Sequence, residues 1–192
     1  MRIGLLGGSF NPAHEGHRHI SLIALRRLGL HRVWWLVSPQ NPLKSSHETA
    51  DYDERRAYAR RVANHPQIVV SDFERRHNVQ HTWRTISLLK RSSPGVSFVW
   101  LMGADNLAGF HRWDRWRDIA GMTPMAIFAR PGHQLRAPLG FAAQYLAGFR
   151  IEEEDAKLLA MRRPPAWVYL TETLHPASST AIRQGRRKTS RE

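Results

Sequence analysis

A glycine-rich stretch between an apolar run and an amphipathic segment constrains the fold of this chain more than any other feature. The stretch, residues 7–17, reads G-G-S-F-N-P-A-H-E-G-H, and the apolar run before it, residues 3–6, is typical of a buried strand. After the stretch, apolar residues recur with helical spacing at Ile20, Ile23, Ala24 and Leu28. Glycine lets the backbone approach a ligand closely, and a helix start presents unpaired N–H groups and the positive end of its dipole. The stretch therefore predicts a strand, a turn and a helix that together bind phosphate.

Two histidines in this stretch are candidates for contact with the same ligand. His14 and His17 are three residues apart, so they share one face if the helix begins near His14. The stretch contains neither G-x-G-x-x-G nor G-x-x-x-x-G-K-[ST], which excludes the common dinucleotide-binding turn and the P-loop. Paired histidines at a helix start can also serve only as caps. Capping is the better explanation for such a pair taken alone, and the binding role is favoured only together with the whole motif of residues 8–17, directly after a strand.

Apolar runs alternate with helical segments along the chain. Strands are predicted at residues 3–6, 32–37, 67–70, 96–102, 125–129 and 167–170. Helices are predicted near residues 14–28, 52–64, 82–90, 112–120, 139–147, 152–162 and 178–184. Several strands are apolar enough to be covered on both faces, which is typical of a parallel sheet. We predict a Rossmann-like, doubly wound α/β fold in one domain, residues 1–185, followed by a basic tail, residues 186–192, with ligands beyond the carboxyl ends of the strands.

The composition excludes several classes of protein. The 192 residues, 42% of them hydrophobic, can form one substantial core. The absence of cysteine excludes disulfides, thiolate catalysis and cysteine-ligated zinc, and it fits a cytoplasmic location. No apolar run is long enough to cross a bilayer, so no membrane partner is expected. No H-E-x-x-H or comparable spacing occurs, so no metal site made of protein ligands is predicted.

The charge of the chain suggests polyanionic partners. Lys and Arg number 29 against 16 Asp and Glu, which gives a net charge of +13. Such an excess fits a nucleic acid, a substrate with several phosphates, or simply a well-solvated surface. The basic residues are scattered and no known nucleic-acid-binding motif occurs, so no nucleic acid is expected. A basic nucleic-acid-binding protein remains the alternative from another class.

A second phosphate-binding candidate lies near the end of the chain. Residues 176–183 read P-A-S-S-T-A-I-R, which places three hydroxyls at the start of a predicted helix. Ser178 can cap that helix, but three successive hydroxyl residues exceed what a cap needs. Arg183 adds a forked cation that suits phosphate. Taken alone, this segment is better explained by a capped helix with a surface arginine.

The two motifs together resemble the nicotinate-nucleotide adenylyltransferases, a family of the H-x-G-H nucleotidyltransferase superfamily. That family carries G-S-F-N-P-x-H-x-G-H at its start and I-S-S-T-x-I-R near its end. Residues 103–107 followed by Trp113 are similar to its G-x-D-x-L…W segment. Residues 82–85, T-W-R-T, stand where the family has T-x-D-T, and residues 41–44, N-P-L-K, stand where it commonly has P-P-H-K. Arg84, Leu43 and Ala177 depart from the family pattern, whereas the two histidines and Arg183 match it.

The resemblance implies a reaction and a set of site residues. The reaction transfers AMP from ATP to nicotinate mononucleotide, giving nicotinate adenine dinucleotide and pyrophosphate, by in-line attack without a covalent intermediate. The residues implied as catalytic are His14, His17, Lys44 and Arg183. Those implied in ATP or phosphate binding are Gly8, Ser9, Phe10, Gly16, Gly103, Asp105, Ser179 and Thr180. Those implied in mononucleotide binding are Arg84, Thr85, Trp113 and Trp116, although core packing is the preferred explanation for Trp116.

The remaining expectations concern cofactor, assembly and substrate choice. Mg²⁺ is expected to arrive with ATP, because the chain has no dedicated carboxylate cage. The sequence is compatible with a homo-oligomer. Pantetheine-phosphate adenylyltransferase and nicotinamide-mononucleotide adenylyltransferase are the alternatives within the superfamily. We expect Arg84 to attract the nicotinate carboxylate, because its charge is opposite to that of the acid usually found there.

Overall fold

A single parallel sheet organises the chain. The computed structural model describes residues 1–39, 50–129 and 137–171. Within these residues seven strands form one sheet in the order β3-β2-β1-β4-β5-β7-β6, and every pair is parallel. The strands are β1 (Arg2–Gly8), β2 (Arg32–Val37), β3 (Ile68–Ser71), β4 (Ser97–Gly103), β5 (Met125–Phe128), β6 (Arg150–Ile151) and β7 (Trp167–Leu170). The predicted doubly wound α/β fold is confirmed.

Helices cover both faces of this sheet. The α-helices are α1 (Glu15–Arg27), α2 (Tyr52–Ala63), α3 (Phe73–Arg76), α4 (Thr82–Ser92), α5 (Ala104–Gly109), α6 (Trp116–Met122) and α7 (Phe141–Tyr145). Segments of 3₁₀ helix occupy Phe110–Arg112, Ala137–Leu139, Ala147–Phe149 and Glu153–Met161. None of the helices in the described ranges is long and apolar enough to cross a membrane. The division into a domain over residues 1–185 and a basic tail over 186–192 stays a prediction.

Strand side chains alternate between two separate cores. On one face, Ile3, Leu5, Leu36, Trp100 and Ile127 pack with residues of α4, α5 and α6. On the other face, the alternate strand residues pack with α1, α2 and the 3₁₀ segment Glu153–Met161, among them Leu6, Val33, Trp35, Leu101 and Phe128. Because both faces are covered, the strands carry the near-continuous apolar runs seen in the sequence.

The central strand β1 contains two glycines that make room for β4. A Cβ at Gly7 would lie 2.6 Å from Cη2 of Trp100, and one at Gly4 would lie 2.8 Å from Cδ1 of Leu101. These two glycines lie on opposite faces of β1, so each admits a large side chain of β4 to a different core. The glycine content of β1 therefore serves packing as well as the turn that follows the strand.

The stretch around the tryptophans differs from its prediction. One helix was predicted over residues 112–120, but α5 ends at Gly109 and a 3₁₀ turn continues to Arg112. Trp113 is extended, Arg115 adopts a left-handed conformation with φ 53°, and α6 begins only at Trp116. The prediction failed because the charged residues of this stretch are also compatible with one continuous helix. Only the local backbone conformation shows that the helix is interrupted.

Smaller differences occur elsewhere. The predicted helix over residues 152–162 is a 3₁₀ helix, and the short elements α3 and β6 were not predicted. Asp51 caps α2, accepting hydrogen bonds from the backbone N–H groups of Asp53 and Glu54 at 2.8 and 3.2 Å. The predicted helix over residues 178–184 lies outside the described residues.

Candidate active site

The two histidines meet where β1 passes into α1. His14 is the N-cap of α1 and is 5% exposed, and its ring centroid lies 3.9 Å from that of His17. The backbone N–H of His14 donates to Nδ1 of His17 at 3.2 Å, and the backbone N–H of His17 donates to the carbonyl of His14 at 2.9 Å. Because Nδ1 of His17 accepts, the neutral ring carries its proton on Nε2. The arrangement holds an N–H donor in a defined orientation at the positive end of α1.

Contacts with the buried residues Ser21, Trp35 and Phe10 hold His17 in place. Its carbonyl accepts a hydrogen bond from the Ser21 hydroxyl at 2.8 Å, and that hydroxyl accepts one from Nε1 of Trp35 at 2.7 Å. Trp35 is fully buried and stacks on Phe10, with ring centroids 5.0 Å apart. Phe10 in turn lies 4.8 Å from the His17 ring and adopts a left-handed backbone with φ 46°. Neither Ser21 nor Trp35 was singled out from the sequence. Nothing in the sequence distinguishes Ser21 from the other residues of its helix, or Trp35 from the other apolar residues of its strand.

The turn before α1 is fastened by an arginine that the sequence also did not single out. Arg55 of α2 is 3% exposed, and its guanidinium donates to four backbone carbonyls: Ser9, Ser38, Pro39 and Ala50. Ser9 belongs to the glycine-rich turn, and Ser38 and Pro39 follow the carboxyl end of β2. No sequence signal distinguishes Arg55 from the other arginines of α2, because its burial depends on how α2 packs.

The carboxyl ends of β1 and β4 lie level with each other. Leu6 pairs with Leu101, so Gly8 and Gly103, two residues further along each strand, end the neighbouring strands at the same edge of the sheet. Gly103 is buried and is the N-cap of α5, whose first turn carries the partly buried Asp105. Gly16, in the first turn of α1, is also buried. The predicted phosphate-binding residues of the described ranges therefore share one edge.

The two tryptophans have different surroundings. Trp113 is half-buried and lies edge-on to Phe110 and Trp100, with ring centroids 5.4 and 6.3 Å away. Trp116 is 7% exposed and packs against Phe110 and Tyr145 at 5.8 and 5.2 Å. Trp116 is thus a core residue, as the packing explanation anticipated, whereas Trp113 is only half-buried.

The two site residues predicted at the start of α4, Arg84 and Thr85, differ in their exposure to solvent. Arg84 is exposed, whereas Thr85 is fully buried and its hydroxyl donates to Oε1 of Glu74 at 2.9 Å. The backbone N–H groups of Arg84 and Thr85 both donate to the carbonyl of His81, at 3.0 and 3.1 Å. Burial raises the pKa of Glu74 to about 7, although the hydrogen bond from Thr85 favours ionisation. Thr85 therefore anchors α4 to the buried Glu74, and only Arg84 presents a side chain to solvent.

The other predicted site residues, Lys44, Ser179, Thr180 and Arg183, lie outside the described residues. Leu43 and Ala177, which depart from the family pattern, also lie outside the described residues. The roles of all six residues stay predictions. Within residues 1–39, 50–129 and 137–171, no group of three His, Asp or Glu side chains is arranged to hold a metal ion.

Comparison with known proteins identifies the family. Residues 5–185 match the cytidylyltransferase-like family model. Proteins named as probable nicotinate-nucleotide adenylyltransferases from Methylorubrum extorquens (strain PA1) and Caulobacter sp. (strain K31) are each 52% identical over 183 residues. These alignments cover 95% of this chain, and 99% and 97% of the two relatives.

The fold agrees with that assignment. Plasmodium falciparum nicotinic acid mononucleotide adenylyltransferase, solved with NaAD, superposes with a TM-score of 0.70 at 16% identity, covering 95% of this chain and 82% of that one. The same enzyme solved with APC gives a TM-score of 0.68. The nucleic-acid-binding alternative is not favoured. The chain belongs to the cytidylyltransferase-like family and, within it, to the nicotinate-nucleotide adenylyltransferases, and it is therefore a nucleotidyltransferase.

Proposed function

We propose that this enzyme transfers AMP from ATP to nicotinate mononucleotide, giving nicotinate adenine dinucleotide and pyrophosphate. The observation that carries the proposal is the His14–His17 pair at the start of α1, beyond the carboxyl end of the central strand. The names of relatives that are 52% identical across 95% of the chain support the choice of substrates. A structural neighbour solved with NaAD, at 16% identity, is consistent with this choice through its fold.

The chemistry needs little from the protein beyond positioning and charge. An oxygen of the mononucleotide phosphate attacks the α-phosphorus of ATP, a new P–O bond forms, and the bond to pyrophosphate breaks in line. The nucleophile is already an anion, so no general base is required. Transfer of this kind is accelerated by holding the reactants in line and by stabilising charge on the equatorial and leaving oxygens.

The described residues can supply both effects on the phosphates. We assign the Nε2–H of His17 and the ring of His14 to phosphate oxygens, and this assignment is supported by their contact at the start of α1, whose first turn adds its dipole. The turn formed by Gly8, Ser9 and Phe10 contributes backbone N–H groups, and Gly16 leaves room for close approach. We assign Lys44, Ser179, Thr180 and Arg183 to the triphosphate as well, on the basis of their place in the family motifs.

The second substrate is assigned to the other side of the same edge. The half-buried Trp113 suits stacking on the pyridine ring, and the exposed Arg84 suits its carboxylate. Gly103 and Asp105 follow the carboxyl end of β4, and we assign Asp105 to a ribose hydroxyl or to the metal. Trp116 and Thr85 act from within the core, by packing and by anchoring α4.

Mg²⁺ is the metal we propose, bound chiefly to the phosphates of ATP. Asp105 is the one carboxylate among the predicted site residues, and a cation that keeps several waters and phosphate ligands needs no more than that. When bound, the metal neutralises phosphate charge and orients the leaving group. A cytoplasmic location and assembly into a homo-oligomer complete the proposal.

Pyrophosphate release tests the proposed reaction directly. The enzyme is incubated with ATP and Mg²⁺ and, separately, with nicotinate mononucleotide, nicotinamide mononucleotide or phosphopantetheine. Fastest release with nicotinate mononucleotide is expected, and preference for either other acceptor would replace the proposed substrate with that one. Pyrophosphate release with none of the three would refute the assignment.

His17→Ala tests the role of the histidine pair. Turnover should fall by a factor of about 10²–10³, as it does when a charge-stabilising donor is removed from comparable sites. His19→Ala is the matched control, because His19 lies on the same helix but two residues round, on a different face. Circular dichroism establishes that both variants fold. Wild-type turnover in folded His17→Ala would contradict the role assigned to His17.

A further inference from the structure

Arg55 is a buried cation held almost entirely by backbone carbonyls. Its Nε donates to the carbonyl of Ala50 at 2.9 Å, and one terminal nitrogen donates to those of Ser9 and Ser38 at 2.5 and 3.0 Å. The other terminal nitrogen donates to the carbonyl of Pro39 at 3.1 Å. The side chain is 3% exposed, although its helix is otherwise rich in exposed arginines. A single guanidinium thus joins the glycine-rich turn, the end of β2 and the start of α2.

The charge of Arg55 has no carboxylate bonded to it in the described part of the chain. Buried arginines are ordinarily paired with an acid. The neighbouring Arg56 follows that rule, with its guanidinium 3.0 Å from Oδ2 of Asp72. For Arg55, burial lowers the pKa, and attraction by Tyr52 and Asp51 only partly opposes this. Asp51 itself is engaged in capping α2. An arginine stays protonated in such a site, so one positive charge lies buried among carbonyl dipoles.

The bond to Ser9 also sets the direction of an N–H group in the turn. The carbonyl of Ser9 and the N–H of Phe10 belong to one planar trans peptide and point in opposite directions. Because Arg55 holds that carbonyl towards α2, the N–H of Phe10 is directed away from α2. Phe10 has φ 46°, a conformation that is unfavourable for a residue with a side chain and therefore needs support from its surroundings. Arg55 and the stack of Phe10 on Trp35 supply that support.

We propose that Arg55 is a positioning residue for the triphosphate of ATP. It orients the Ser9–Phe10 peptide so that the turn presents its N–H group to phosphate, and its buried charge is balanced by the phosphates when they bind. This inference rests on the proposed function, since it assumes that the turn binds the phosphates of ATP. In the described part of the chain the hydrogen bonds of Arg55 reach neither Trp113 nor Arg84, the residues proposed for the mononucleotide site, so the effect should fall selectively on ATP.

Three variants separate this role from general support of the fold. Arg55→Met removes the charge at similar length, Arg55→Lys keeps the charge but cannot bond four carbonyls, and Arg60→Met removes an exposed charge from the same helix. Circular dichroism and thermal melting establish folding. The KM values for ATP and for nicotinate mononucleotide are measured separately, together with the thermal shift produced by a non-hydrolysable ATP analogue.

A selective loss of ATP binding is expected. In Arg55→Met the KM for ATP should rise about tenfold or more, as for loss of a charged group from a binding site, whereas the KM for nicotinate mononucleotide should change less than about threefold. Arg55→Lys should show a smaller rise, and Arg60→Met should match the wild type. Equal changes in both KM values, or none, would overturn the proposal. If Arg55→Met does not fold, the same criterion is applied to Arg55→Lys.

The thermal shift separates failure of this inference from failure of the proposed function. An enzyme inactive on all acceptors would refute the proposed reaction, yet the shift by the ATP analogue would still compare Arg55 variants with the wild type. A wild-type shift in a folded Arg55 variant would overturn the positioning role even if the enzyme is active on nicotinate mononucleotide. A reduced shift in Arg55→Met, together with a normal one in Arg60→Met, would support it.

Discussion

Replacing Glu74 by Gln should make the protein more stable at neutral and alkaline pH. Glu74 is 6% exposed and accepts a hydrogen bond from the Thr85 hydroxyl at 2.9 Å. Burial penalises its ionised form and raises its pKa from 4.5 to about 7. A glutamine has the shape of the neutral acid, keeps an oxygen that accepts from Thr85, and never ionises. The variant therefore removes the cost of a buried negative charge and retains the anchor of α4.

The size and sign of the effect follow from the pKa. In the unfolded chain Glu74 loses its proton near pH 4.5, whereas in the folded protein it loses it near pH 7. Between these values the folded state binds more protons, so the stability of the wild type falls as pH rises. The pKa of Glu74 differs by about 2.5 between the two states, and a pKa difference of one corresponds to about 1.36 kcal/mol. Above pH 7 the ionised Glu74 therefore lowers the free energy of unfolding by about 3 kcal/mol. Below pH 4.5 the loss vanishes.

Urea unfolding of both proteins at several pH values between 4.5 and 8 measures this effect. The free energy of unfolding of Glu74→Gln minus that of the wild type should rise across this range by about 3 kcal/mol, whatever its value at pH 4.5. Glu154→Gln is the control: it removes an exposed carboxylate, and its difference from the wild type should stay nearly constant. A constant difference for Glu74→Gln as well would show that the folded environment does not hold a proton on this group.

Three further substitutions test the site and the packing. Arg84→Asp should raise the KM for nicotinate mononucleotide, because an exposed cation beside the proposed carboxylate site becomes an anion, and an unchanged KM would rule the contact out. Gly7→Ala should lower the free energy of unfolding by about 1–3 kcal/mol, because its Cβ would lie 2.6 Å from the ring of Trp100, and undiminished stability in urea would show that the ring can shift. Gly121→Ala, in α6 with nothing within 4 Å of an added Cβ, should instead raise stability by about 0.5–1 kcal/mol, and a lowered urea midpoint would contradict that account.

Local patterns were sufficient for most of the secondary structure. The strands of the central sheet and helices α1, α2 and α4 carry strong periodicity, and Asp51 is an ordinary N-cap in front of α2. The pattern failed around Trp113, where a 3₁₀ turn and the left-handed Arg115 separate two helices. A hydrophobicity pattern records which side chains are apolar, but it contains nothing about single backbone conformations such as the one at Arg115.

The sequence by itself determined the fold class, and it predicted the place of the chemistry, because a glycine-rich turn between a buried strand and a helix start has few other uses. It also determined that His14 and His17 lie in contact, since side chains three residues apart on a helix come together regardless of the rest of the fold. Tertiary structure alone decided that Arg55 is buried and Arg60 is not, and that Glu74 lies in contact with Thr85. Residues remote in sequence meet only when the sheet and its helices pack, and the cost of burying a charge arises only then. The selection of one arginine on α2 to hold the turn is therefore a property of packing and has no local signature.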